Sequence, residues 1–124
     1  MRTLEEMKID LDKIEESLDT VAKIASLARP YTPYDLATWN AIIPTTAGRI
    51  KELDKNLNEA ATSIGSYIKQ VALNVHLRKC RADEAQNELN RASQISSIIF
   101  HFAKTLESQS TRFDAYQEQA LKHL

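Results

Sequence analysis

Glycine and proline are scarce in this 124-residue chain, and all five of them (Pro30, Pro33, Pro44, Gly48 and Gly65) precede residue 66. Two isolated glycines cannot build a glycine-rich phosphate loop, which argues against nucleotide hydrolysis. Cysteine occurs once, as Cys80. No intramolecular disulfide can form, so a reducing compartment, the cytoplasm, is expected. No stretch approaches the roughly 18 consecutive apolar residues of a membrane-spanning helix, and the first twenty residues are acidic and periodic, unlike a signal peptide. No membrane partner is expected.

Histidine is also sparse. His76, His101 and His123 are scattered and lack the clustered Cys and His partners of a zinc site. None has a glutamate three residues before it, as di-iron helical proteins require. Helical ribonucleases of the HEPN family place an arginine four to six residues ahead of a histidine, and no arginine stands there. Cys80, between Arg78, Lys79 and Arg81, is the only nucleophile whose neighbours favour a thiolate, but no His and Asn partners complete a site. The acidic pairs Glu84 with Glu88 and Asp114 with Glu118 fit a solvated helix face, and His101 between Phe100 and Phe102 fits a helix edge. The chain is therefore expected to be non-enzymatic, with no metal and no cofactor.

What is present is helical periodicity. The apolar fraction of 43% and charged fraction of 27% are those of a globular chain, and the length suits one domain over residues 1–124. Thr3 and Glu6 form a capping box. From there Leu4, Met7, Leu11, Ile14, Leu18, Val21, Ala25 and Ala28 recur at alternating spacings of three and four, so a helix is expected over 4–28, ended by Pro30. Thr32-Pro33 starts a short helix over 33–42, stopped by Pro44, with Trp39 anchoring one end of the assembly. Trp39-Asn40-Ala41 resembles the Trp-x-Gly turn of small secreted helical hairpins of the WXG type, but Ala41 replaces the glycine and the family is not carried over.

Thr45 or Thr46 caps a long helix over 46–79 with an apolar stripe from Ile50 to Val75, while Leu73 and Leu77 fall on nearly the opposite side. A turn near 78–82 and a cap at Asp83 with Gln86 begin a last helix over 83–122, whose stripe runs from Ala85 through Ile95 and Ile99 to Phe113. The fold expected is all-α, an elongated antiparallel bundle of three long amphipathic helices plus one short one. The last helix outruns its partners, leaving Phe113, Tyr116, Leu121 and Leu124 uncovered, which points to another chain.

Charge is unevenly distributed. Residues 1–59 carry a net −3, residues 60–82 a net +4 with no acid, and residues 83–124 a net −2. The basic segment holds Lys69, His76, Arg78, Lys79 and Arg81, which could contact a polyanion. Alternatively, an antiparallel neighbour brings the acidic first turns of the first helix alongside it. The leading expectation is a helical interaction protein (adaptor, scaffold or chaperone-like) that makes protein–protein contacts and self-associates through Leu73, Leu77, Phe113, Tyr116, Leu121 and Leu124. The alternative is a small nucleic-acid accessory protein, assisting replication or recombination through Lys69, Arg78, Lys79 and Arg81.

Overall fold

The first helix is set by Thr3. In the computed structural model, which describes residues 2–26 and 33–122, the backbone N–H of Glu6 donates to Thr3 Oγ1 at 3.2 Å. The Thr3 hydroxyl in turn donates to the Glu6 carboxylate, also at 3.2 Å. The predicted capping pair is thus formed, with the carboxylate taking the hydroxyl proton rather than reaching the cap's own N–H. Helix α1 spans Leu4–Ser26. Its seam of Leu4, Met7, Leu11, Ile14, Leu18 and Val21 is buried throughout.

Helix α2 begins at Pro33, the predicted first position, but does not stop at Pro44: it is one helix, Pro33–His76. The separate short helix over 33–42 is therefore corrected, and neither Thr45 nor Thr46 caps anything. A proline inside a helix removes one i→i−4 hydrogen bond and costs about 3 kcal/mol. Pro44 is exposed, 20 residues before the buried Ile64 and hence on roughly the opposite face, so the freed carbonyl lies where water can reach it. Thr46 is only 1% exposed, and its hydroxyl has no hydrogen-bond partner among the described residues.

The end of α2 is made by its backbone. Arg78 N–H donates to the Val75 carbonyl at 3.0 Å and Lys79 N–H to the Asn74 carbonyl at 2.8 Å, the paired bonds of a Schellman closure. That closure needs a left-handed residue, and Arg78 supplies it with φ of 56°. The expected helix end at 79 thus falls at His76. Helix α3 runs Ala82–Lys122. Its first bond is Ala85 N–H to the Arg81 carbonyl at 3.0 Å, so Arg81 and not Asp83 holds the cap position. Asp83 and Glu84 lie in the first turn, where the helix dipole favours anions.

All three helices contribute to one core. Leu11, Ile14 and Leu18 of α1 meet Leu53, Leu57 and Ile64 of α2 and Ala92, Ile95 and Ile99 of α3. Direct contacts fix the directions. Tyr67 bonds Glu88 across the α2–α3 turn, so those helices run antiparallel, and Arg91 bonds Glu5, so α1 begins beside α3 at the same level. Lengths then decide the shape: α1 is about 35 Å long, against about 65 and 60 Å for α2 and α3. The longer pair extends past α1 at both ends. Near the C-terminal end of α3, Phe113 is 3% exposed and not part of an open stripe. The expectation that Phe113 lies on an uncovered stripe is corrected: the residue is buried. Leu124 and the side chains of Trp39, Tyr116 and Leu121 lie outside the described residues.

Candidate interaction surface at the hairpin apex

Where α1 begins, the three helices are tied by polar groups. The Tyr67 hydroxyl donates to Glu88 Oε2 at 3.0 Å, and Arg91 Nη2 donates to Glu5 Oε1 at 2.8 Å. Burial, then the hydrogen bond to Glu88, pushes the Tyr67 phenol above its ordinary range. The Arg91 bond holds the Glu5 carboxyl below the usual carboxylate range, and Glu5 reciprocally raises the guanidinium. None of these four residues is a predicted site residue. Their spacing along the chain, 86 residues between Glu5 and Arg91, carries no local signal.

Beyond this level the α2–α3 hairpin continues alone for nine residues of α2, roughly 15 Å, to the turn at 77–81. Val71 and Ala85, both buried, fill its interior. Its outside carries Leu73 and Leu77 of the predicted contact set beside the predicted polyanion residues. Leu73 is 46% exposed and Leu77 50% exposed, while Lys69, Arg78, Lys79 and Arg81 are all exposed around them. One pair of the predicted contact residues and the predicted polyanion residues thus share one apex.

The charges there are only partly matched. Arg81 Nε lies 3.6 Å from Asp83, a pair open to water on both sides. No described carboxylate lies within ion-pair distance of Lys69, Arg78 or Lys79. The expected pairing with the acidic start of α1 is not made. Helix α1 begins level with Tyr67 and stops short of the apex, and its Glu6 and Asp10 pair with Arg2 while Glu5 pairs with Arg91. Cys80 sits half-buried in the turn as a free thiol.

Elsewhere on the surface, Phe100 is 62% exposed beneath Lys104, whose Nζ is 4.7 Å from the ring, and His101 is exposed beside Phe102. A groove of about 590 Å³ between α2 and α3, floored by Leu57, Ile99 and Leu106, has Lys51, Asp54 and Glu107 on its rim and so no field of one sign. Ile9, 56% exposed on α1, is a further apolar surface residue. The sequence marks it as an isoleucine off the three–four seam, between Lys8 and Asp10. Among the described residues, no three His, Cys, Asp or Glu side chains are grouped to hold a metal ion, and no helix is long and apolar enough to cross a membrane.

No family model, curated protein or solved structure matches this chain.

Proposed function

We propose that the protein is a non-enzymatic helical interaction protein that works by protein–protein contact, including contact with its own kind, through the α2–α3 apex. The observation that carries this reading is the pair Leu73 and Leu77, each about half exposed on an end that projects beyond α1. Two leucines one helical turn apart on a projecting end form a compact apolar contact, and the cations around them set the sign of what it meets. The long core helices behind act as a rigid handle.

A photo-crosslinking amino acid placed at Leu73 or Leu77, with Lys55 as an exposed control, tests the proposal in cells that make the protein. Protein adducts from both apex positions and none from Lys55 are expected. Adducts that are equal at all three positions, or absent from the apex, contradict it.

The unpaired Lys69, Arg78 and Lys79 favour a second reading, a nucleic-acid accessory role. Its mark is retarded single- or double-stranded DNA or RNA at low salt, lost in Arg78→Glu/Lys79→Glu. Adducts with nucleic acid rather than protein would replace the first reading by this one.

A further inference from the structure

We infer that the partner of the apex is an acidic amphipathic helix laid along the outer face of α2, an assignment that rests on the proposed protein–protein function and names the chemistry of what it meets. Lys69, Leu73 and Leu77 follow one another at intervals of four, so they form a single stripe about 12 Å long. At about 100° per residue, Lys69 and Leu73 lie on nearly the opposite side of α2 from the buried Val71, and Leu77 lies about 120° from it. The stripe therefore faces away from the hairpin interior, with both leucines about half exposed.

The order along the stripe is cation, leucine, leucine, cation. Lys69 stands one turn before Leu73, and Arg78 and Lys79 follow Leu77 directly, where the chain leaves α2. No described carboxylate lies within ion-pair distance of these three cations. Asp83, the next acid along the chain, is taken by Arg81 at 3.6 Å, and Glu88 accepts from Tyr67. Along one edge Gln70 donates to Asn74 at 3.0 Å, which leaves the leucines as the apolar middle.

Each feature specifies its counterpart. Leucines one turn apart take apolar side chains three or four residues apart on a partner helix. Cations at both ends take carboxylates about one turn outside that apolar pair, and the partner helix fits in either direction because both ends are cationic. A phosphate backbone would match the cations but leave both leucines uncovered, and residues 69–82 hold no Phe, Tyr or Trp to stack on a base. A second apex would cover the leucines but set cation against cation. An acidic helix meets both demands.

The test places the photo-crosslinking residue at Leu73 of the full chain, in cells that make the protein, and reads the attached peptides by mass spectrometry. The expected partner peptide carries two apolar residues three or four apart, with Asp or Glu within about one turn of each. In Lys69→Glu/Lys79→Glu the yield of protein adducts should fall about tenfold or more, while Lys69→Arg/Lys79→Arg should keep it. Both positions are exposed, and unchanged circular dichroism and Tm establish that each variant folds. Adducts undiminished by the charge reversal overturn the acidic assignment and leave the apex function standing. Attached peptides without acid, those of a second apex among them, do the same. Adducts with nucleic acid in place of protein, or none at Leu73, overturn both.

Discussion

Arg91 of α3 holds Glu5 of α1 at 2.8 Å across 86 residues of chain, at the level where α1 begins and beyond which the α2–α3 hairpin goes on alone. The pair marks the base of the apex. Both groups are solvent-exposed, so their direct effect on stability is small, but they fix where α1 sits along the longer helices.

The pH dependence of this contact has a definite sign. Glu5 is held below the ordinary carboxylate range by its hydrogen bond to Arg91. A depressed carboxyl stabilises the fold above its unfolded value, and that contribution is lost as pH falls through the folded value. Thermal unfolding followed between about pH 5 and 3 should therefore lose Tm more steeply in the wild type than in Arg91→Met. Tyr67, raised mainly by burial, behaves oppositely: its contribution is present below about pH 10 and lost above it, and Tyr67→Phe should remove that alkaline loss.

Arg78 occupies a left-handed position at the end of α2, where glycine carries no steric penalty. Arg78→Gly should raise stability by about 0.5–1 kcal/mol, roughly 2–5 °C in Tm. The same change removes an apex cation, so association should weaken while Tm rises. That opposition separates a residue kept for contact from one kept for folding.

Core and apex should respond differently to truncation. Ile95, 1% exposed in the shared core, should cost about 2–5 kcal/mol as Ile95→Ala. Leu73→Ala, at a site 46% exposed, should stay within about 0.5 kcal/mol in chemical denaturation. Only the second should change binding.

The continuity of α2 is open to the same measurement. With Pro44 inside the helix, Pro44→Ala restores a backbone hydrogen bond and should stabilise by about 1–3 kcal/mol. Phe113→Ala should cost about 3–5 kcal/mol because its ring is buried. A proline that ended a separate short helix, and a Phe113 in solvent, would leave both variants near the wild type.

The sequence was most legible where periodicity is local. The alternating seam of α1 and its Thr3 cap, and the phase of Ile95, Ile99 and Phe113 in α3, match the buried faces. Local signals failed where long-range packing overrides them. Pro44 reads as a stop, yet it lies inside one continuous helix, and Phe113 reads as open, yet it is buried. Asp83 looks like a cap, but the Schellman closure at Arg78 places the next helix one residue earlier. The sequence shows the apex as two separate patches, Leu73 with Leu77 and the basic run, because only the length difference between α1 and α2 shows that both project together.

The most direct test is the weight-average mass of the full chain by light scattering over a concentration series, beside Leu73→Asp/Leu77→Asp with its folding confirmed by circular dichroism. The apex function predicts that the wild type rises above 14.1 kDa toward twice that value as concentration increases, while the variant stays at 14.1 kDa. Identical masses for the two chains at every concentration would contradict it.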